Sequence, residues 1–433
     1  MRLAIYVRTL KSARGAERVI ASIARGLAAR GHKVDLLLEE DDGWLVEGLR
    51  QAESGVAVRC LKEAWPRKAL SLLAAAYVHL ANLLSAAGAP PGGWSASAKP
   101  LLRMTLRDRP PLYSLSRFVR REKPDAVVSF LNYPNMVLLM AARVCRGRTR
   151  FVVNVRNHVS SAARNGKSKW MRSVPSLMRR FFPEADGVLA PSLGVAEDVA
   201  EITGLPLSDI KVIHNPVYRE ELLELAAEPV EHRWLQGGAA PVVVAAGKFK
   251  PQKDFPTLLR AFARLRSQRP ARLIILGEGA GKAQLLALAE DLGIADDLDL
   301  PGHVRNPYAY FSKASVFVLS SAFEGLPNAL IEALACGCAV VSTDCPSGPS
   351  EILDGGAYGR LVPIGDPEAL AAAMNAALDD PPARDRLIER ARTFSLENSV
   401  AGYERVLAEV VRSGQPLRSG LGLSEGPGRL PSP

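Results

Sequence analysis

Two glutamates, Glu324 and Glu332, stand eight residues apart in the stretch SSAFEGLPNALIEALACGCAVVSTDCPSG, Ser320 to Gly348. The apolar run Val316 to Leu319 predicts a strand before it, Gly325 a turn, and Pro327 the first turn of a helix that carries Glu332. Backbone N–H groups from Gly325 to Ala329 then point at whatever sits above the strand end, where a phosphate or a sugar hydroxyl is the natural guest. Two carboxylates would repel a phosphate unless they address hydroxyls on either side of it, and a carboxylate accepts two hydrogen bonds from a ribose or hexose diol. Lys248, Lys250 and Lys253 follow the run Val242 to Ala246 and precede a helical pattern. Three lysines at the C-terminal end of a strand form a cationic clamp for a diphosphate at the switch point of an open sheet.

These residues need a scaffold of parallel strands. Short β-branched runs alternate with amphipathic stretches along the chain, which is the pattern of parallel α/β architecture. The candidate strands of the first half are Leu3 to Val7, Val34 to Leu38, Val56 to Cys60, Ala126 to Phe130, Phe151 to Val155, Gly187 to Ala190 and Lys211 to Ile213. Those of the second half are Val242 to Ala246, Arg272 to Leu276, Leu298 to Leu300, Val316 to Leu319 and Ala339 to Thr343. Ile20, Ile23 and Leu27 share a helix face that ends at Gly31, and Leu258, Phe262 and Leu265 repeat the arrangement. Asn154 to His158 leaves a first-half strand, so its side chains line the cleft between the halves.

A Glu-rich polar segment from Arg219 to about Ala240 reads as a linker between two domains, 1–218 and 241–395. A helix over 398–413, with Val400, Tyr403, Leu407 and Val410 at helical spacing, is expected to pack back on the first domain. Residues 414–433 hold five Gly and four Pro and read as a disordered tail. An insertion at about 61–121 includes Ala69 to Ala87, nineteen residues without a formal charge. Its alanines and the polar Ser71, His79, Asn82 and Ser85 favour a buried or interfacial helix over a membrane span.

The 433 residues are 48% apolar and carry 55 Lys+Arg against 45 Asp+Glu, a net charge of +10, which excludes disorder and collagen. Between Ala126 and Pro183 there are eleven Lys or Arg and no Asp or Glu. A one-signed stretch of this length is expected to meet an anion, and without the aromatic interleaving of nucleic-acid readers a membrane surface is favoured. Five cysteines, odd in number, suit free thiols in a reducing compartment, and Cys336, Cys338 and Cys345 lack a fourth zinc ligand. The N-terminal run Leu3 to Val7, broken by Arg8, is too short for a signal segment and reads as the first strand.

Taken together the motifs resemble retaining glycosyltransferases of family 4, whose GT-B fold sets two Rossmann-like parallel α/β domains across a cleft. Glu324 and Glu332 match the family's pair of glutamates with seven residues between, and Cys336-Gly337 follows as in the family. Gly247 to Lys253 matches its Gly-Arg-Leu loop ending in lysine, with Lys248 where the family has arginine. Arg14-Gly15-Ala16-Glu17-Arg18 resembles its first loop, with Arg14 in place of one glycine. Ala190-Pro191-Ser192, Val212 to Pro216, Leu276-Gly277-Glu278-Gly279 and Pro301-Gly302-His303-Val304 also match.

The resemblance implies a donor site of Gly15, Gly247, Lys248, Lys253, Gly277, His303, Val304, Glu324, Gly325, Leu326, Asn328 and Glu332. It implies an acceptor side of Arg156, Asn157 and His158, with Arg156 on an acceptor phosphate. Glu324, Lys253, Lys248 and His158 are expected to carry catalysis. The implied reaction moves a hexose or N-acetylhexosamine from a UDP-sugar, with retention, to a lipid-linked or cell-surface glycan acceptor. It is expected to take place peripherally on the cytoplasmic membrane face, without metal, other cofactor or nucleic acid. A dinucleotide-dependent oxidoreductase fails on the first βα turn, which lacks G-x-G-x-x-G. The remaining alternative is a non-catalytic membrane- or nucleic-acid-binding protein on the same scaffold, against which Glu324, Glu332 and Lys253 count.

Overall fold

The computed structural model describes residues 1–11, 15–51, 54–61, 111–145, 147–166, 168–238 and 240–414. Most of the expected insertion at about 61–121, including Ala69 to Ala87, lies outside these residues, as do Arg14 and residues 415–433. Among the described residues no helix is long and apolar enough to cross a membrane.

Seven strands build the first sheet: β1 (Arg2–Thr9), β2 (Lys33–Glu40), β3 (Val56–Cys60), β4 (Ala126–Phe130), β5 (Arg150–Asn154), β6 (Gly187–Ala190) and β7 (Ile210–Val212). Their order is β3-β2-β1-β4-β5-β6-β7, with every pairing parallel. The second sheet holds β8 (Val242–Ala246), β9 (Arg272–Leu276), β10 (Leu298–Gly302), β11 (Val316–Leu319), β12 (Val340–Thr343) and β13 (Arg360–Val362). It is also all parallel, in the order β10-β9-β8-β11-β12-β13. Strands such as β4 and β12 are buried along their whole length, because helices cover both faces of a parallel sheet. Strand order reverses between β1 and β4 and between β8 and β11, and crevices open above the carboxyl ends of strands at such points.

β13 is absent from the sequence reading, because three residues, Arg360-Leu361-Val362, at a sheet edge carry too short a pattern to stand out. The Arg219–Ala240 segment is not a free linker. Its helix Glu221–Ala227 buries Leu222 and Ala226 in the second domain's core, and Asn306 Nδ2 and Ser312 Oγ donate to its Leu225 and Ala226 carbonyls at 2.7 and 2.6 Å. The chain crosses between the sheets at His214 to Tyr218 and returns at Phe394 and Ser395. The two crossings lie side by side: Val217 and Tyr218 N–H both donate to Phe394 C=O at 3.0 Å.

The returning helix Leu396–Ser413 is capped by Ser395, whose hydroxyl accepts from the Asn398 amide at 3.1 Å. It buries Val400, Tyr403, Leu407 and Val410 among residues of β1, β2, β4 and the helix Gly15–Ala29. Each fully buried apolar side chain of this size contributes about 1.5–3 kcal/mol, so the helix is an integral part of the first domain's core. Gly26 permits its close approach, since a Cβ there would fall 2.4 Å from Val400 Cγ2.

Candidate active site between the two sheets

The floor of the crevice is backbone. Strand ends β8, β9 and β10 meet at Gly247, Gly277 and Gly302, joined by Gly247 N–H to Leu276 C=O at 2.9 Å and Gly277 N–H to Gly302 C=O at 2.8 Å. Gly277 has φ +143°, and a Cβ there would lie 2.0 Å from the Gly247 carbonyl oxygen, so no other residue fits. The Lys253 stem runs over Gly247, where a Cβ would meet Lys253 Cε at 2.8 Å. Beside this floor Val304 packs half-buried against the second core, while His303 is exposed.

Lys253 ends the short turn Pro251–Lys253, and its Nζ donates to Glu324 Oε1 at 2.7 Å. Ser321 Oγ donates to the same oxygen at 2.7 Å, and Gln252 Nε2 reaches Oε2 at 3.4 Å and the Phe323 carbonyl at 2.9 Å. Glu324 is only 8% exposed and is therefore held by a cation, a hydroxyl and an amide rather than by water. Lys248 is exposed on the same loop.

The loop 324–328 is clasped by the first domain. His158 N–H donates to Glu324 C=O at 3.2 Å and Ser192 Oγ to Gly325 C=O at 2.7 Å, while Ser347 Oγ, from within the second domain, donates to the same Gly325 carbonyl at 2.9 Å. Gly325 lies so close to the first domain that a Cβ would be 2.3 Å from Arg156 O and 2.9 Å from Asn157 Cα. The helix begins at Asn328, one residue later than the sequence suggests, with Pro327 in the cap position. Carbonyls of this loop are thus bound from the first domain, while the amides of Gly325, Leu326, Asn328 and Ala329 donate to no partner among the described residues. Gly15 starts the helix Gly15–Ala29 across the crevice, with its Cβ position 3.3 Å from Asn328 Nδ2.

Glu332 faces two guanidinium groups, Arg18 of the first domain and Arg219 of the crossing. Burial raises its pKa, and Arg18 and Arg219 oppose the rise. Tyr308 OH donates to Glu332 Oε1 at 3.4 Å and itself receives Arg18 Nη1 at 3.4 Å; burial and the Glu332 charge hold the phenol protonated.

Two of the expected acceptor residues have close partners within the protein. Arg156 turns inward: its Nη2 donates to Asn215 Oδ1 at 2.6 Å beside Tyr403, and burial lowers its pKa. The His158 ring caps the helix Val159–Asn165, accepting from the Ser161 amide at 3.3 Å through Nδ1, which lies 3.6 Å from Asp198 Oδ1. Burial lowers its pKa and Asp198 partly offsets this. The ring lines a cavity of about 710 Å³ with Gly194, Glu197, Ser347 and Glu351. Asn157 keeps its backbone against Gly325.

Of the remaining histidines, His32, His214 and His232 hydrogen-bond Glu404, Glu351 and Asp299 at 3.0, 2.6 and 2.8 Å, and His79 lies outside the described residues. Sequence reasoning did not assign Gln252, Ser321, Ser192, Asn215, Arg18 or Tyr308. The matched segments Ala190-Pro191-Ser192 and Asn215-Pro216 hold two of them but give no hint of their partners. The five cysteines are free thiols, with Cys336, Cys338 and Cys345 buried, and among the described residues no group of His, Cys, Asp or Glu is placed to hold a metal ion.

Residues 13–221 match the family Glycosyltransferase Family 4, and residues 233–394 match Glycosyl transferases group 1. A relative from Campylobacter jejuni, N-acetylgalactosamine-N,N'-diacetylbacillosaminyl-diphospho-undecaprenol 4-alpha-N-acetylgalactosaminyltransferase, is 32% identical over 271 residues, 62% of this chain and 71% of its own. The lipopolysaccharide core biosynthesis glycosyltransferase LpsE of Rhizobium meliloti is 31% identical over 53% of this chain and 66% of its own. Among solved structures, the lipopolysaccharide outer core galactosyltransferase WaaB in its apo form superposes with a TM-score of 0.67 at 18% identity, covering 94% of this chain and 99% of that one. Anabaena HepE in complex with UDP and glucose gives 0.69 at 18% identity, covering 95% and 100%. With facing parallel sheets, the Lys253–Glu324 pair at their junction and both halves matched, the chain belongs to the glycosyltransferases of family 4 type and has the GT-B fold.

Proposed function

We propose that the protein transfers a hexose or N-acetylhexosamine from a UDP-sugar, with retention, to a lipid-linked or cell-surface glycan acceptor on the cytoplasmic face of the membrane. The observation that carries this reading is the Lys253 ammonium on the Glu324 carboxylate at the crevice, 2.7 Å apart, beside unpartnered loop amides. Each charge compensates the other until a diphosphate arrives. The diphosphate then takes Lys253, with Lys248 on the same loop, and Glu324 is released to sugar hydroxyls. Glu332, between Arg18 and Arg219, serves the ribose hydroxyls.

In the proposed step the acceptor oxygen bonds to the anomeric carbon on the face that the phosphate leaves. The C1–O bond to phosphate breaks, and the acceptor proton passes to the departing phosphate oxygen. Glu324, released by Lys253 and still accepting from Ser321, orients the sugar rather than taking that proton. His158, whose backbone holds Glu324 C=O, belongs to the acceptor side. Lysines neutralise the developing charge without metal.

The donor class is supported by HepE, solved in complex with UDP and glucose, and the acceptor class by the Campylobacter relative, a diphospho-undecaprenol N-acetylgalactosaminyltransferase. An anionic membrane surface is supported by exposed cations on the first domain: Arg117, Arg120 and Arg121 on the helix Pro111–Glu122, and Lys169, Arg172, Arg179 and Arg180 on the helix Lys169–Phe181. Not all of the basic stretch is available for this. Arg143 and Arg150 pair with Glu184 and Asp186, and Arg156 is internal.

The test is a calorimetric titration with a panel of nucleoside diphosphate sugars in EDTA, with NADH and single-stranded RNA as controls. One UDP-sugar is expected to bind, and Lys253→Ala to weaken it by about 10–100-fold, the worth of one charge-assisted hydrogen bond. No heat with any sugar nucleotide, together with salt-sensitive RNA binding, would replace this reading with the scaffold one. With the donor known, the anomeric configuration of the product tests retention.

A further inference from the structure

We propose that Arg156 and Asn215 are positioning residues for the donor: together they dictate which face of the Asn328 amide is turned to the diphosphate. The inference rests on the reading that this crevice takes a nucleoside diphosphate sugar. Asn215 stands in the crossing between the domains and is only 4% exposed. An asparagine amide has one accepting and one donating end, and the hydrogen-bond partners decide which end points where. A guanidinium can only donate. Because Arg156 Nη2 sits 2.6 Å from the Asn215 amide, the end facing it must be Oδ1.

The opposite end, Nδ2, is then a donor, and it lies 2.6 Å from Asn328 and 3.4 Å from the Leu326 carbonyl. Asn328 must therefore offer its own Oδ1 to Asn215. Its Nδ2 is left pointing the other way, toward the Gly15 end of the first domain's helix, and donates to no partner among the described residues. Asn328 opens the helix whose free amides face the same crevice. The relay thus adds a side-chain donor to a group of backbone donors, and an oxygen of the diphosphate is the ligand chemistry that matches such a set.

Arg156 is fitted to this task and to little else. Its Nε and Nη1 are buried without a well-formed hydrogen bond, so the residue retains a charged group in a costly setting, supported by the short bond to Asn215 and by the Tyr403 hydroxyl. Among the described residues its side chain makes no hydrogen bond to the crevice floor or to the Lys253–Glu324 pair, so its effect on the donor runs through Asn215.

The experiment uses the full chain and titrates UDP and uridine separately into wild type, Asn215→Asp, Asn328→Ala and the double variant. An aspartate is isosteric and keeps the Arg156 pair, but has no donor for Asn328 Oδ1. Asn328 then turns its oxygen toward the diphosphate. UDP affinity is expected to fall by about tenfold in Asn215→Asp, while uridine, which lacks the phosphates, changes by less than about twofold. The loss in the double variant is expected to equal that of Asn328→Ala alone, because the relay has nothing left to orient.

Full additivity of the two losses, equal loss for UDP and uridine, or wild-type UDP binding in Asn215→Asp would overturn the inference. If Asn215→Asp does not fold, Arg156→Gln tests the same relay, since a glutamine can turn either end to Asn215 and removes the dictated orientation. UDP affinity then falls by about threefold or more with uridine unchanged, and unchanged UDP affinity overturns the proposal. Wild type that binds no UDP removes the donor reading and this one with it. Wild type that binds UDP while the variants bind it as tightly as wild type removes this one alone.

Discussion

Gly325→Ala isolates the junction between the two domains. The new methyl would be placed 2.3 Å from Arg156 O and 2.9 Å from Asn157 Cα, where ordinary contact begins near 3.4 Å, so loop and first domain must part by about 1 Å. That displacement carries the Ser192 Oγ bond to Gly325 C=O, now 2.7 Å, and the His158 N–H bond to Glu324 C=O, now 3.2 Å, out of hydrogen-bond range. Overpacking at such a contact costs about 1–3 kcal/mol, and each lost hydrogen bond about 1 kcal/mol. The closed arrangement is therefore destabilised by roughly 3–5 kcal/mol, equivalent to a drop of about 150–5,000-fold in its population. The second domain's own donor contacts are untouched. Calorimetry should show UDP affinity falling by no more than the about tenfold that loss of the Asn215–Asn328 bond accounts for, while steady-state turnover with a UDP-sugar falls by at least about 100-fold. Turnover within threefold of wild type would refute the reasoning, since it would mean that the junction is not needed in the reacting state.

Three further outcomes are expected. Glu324→Gln frees the Lys253 ammonium, so UDP should bind no more weakly than in wild type while turnover falls by about 100-fold; weaker UDP binding with normal turnover would reverse the two roles. Burial lowers the His158 pKa, so between its folded value and the unfolded value near 6.5 the unfolded chain binds more protons and stability rises with pH. The Tm of wild type should therefore fall on acidification through that window more steeply than that of His158→Asn, which keeps a capping side chain; parallel slopes would refute this. Lys169→Glu with Arg172→Glu, both exposed on one turn, should weaken binding to vesicles rich in anionic lipid by about 1 kcal/mol or more per charge, with zwitterionic vesicles unaffected. Unchanged flotation with anionic vesicles would remove that face from the membrane contact.

What was legible in the sequence was what depends on local pattern. β4, β8, β9 and β11 were readable to the residue, because buried parallel strands are unbroken apolar runs flanked by turn residues. The Lys253 and Glu324 motifs were legible because their spacing puts both on loops at strand ends. Their direct pairing was not, since it depends on the register that sets β11 beside β8. β13 escaped because a sheet edge of three residues carries no period. The Arg219–Ala240 segment looked like a linker because Glu221, Glu224 and Glu228 hide the few apolar residues, Leu222 and Ala226 among them, that dock it. The partners of Arg156 were hidden for a related reason. An arginine at a strand end usually meets solvent or ligand, and only the returning helix, more than two hundred residues later, shows that Tyr403 covers it.

That returning helix also fixes an order of assembly. Residues 396–413 leave the ribosome after both sheets have been synthesised, yet Val400, Tyr403, Leu407 and Val410 fill one face of the first sheet. The first half of the chain thus emerges with an open apolar flank and must wait, while the second half acquires all its strands and the helices over them in one continuous run of synthesis. Folding should begin at the back of the protein and finish at the front. In the interval Gly26, Phe130, Gly187 and Ile213, which this helix meets, are surfaces that the growing chain leaves to water or to a chaperone.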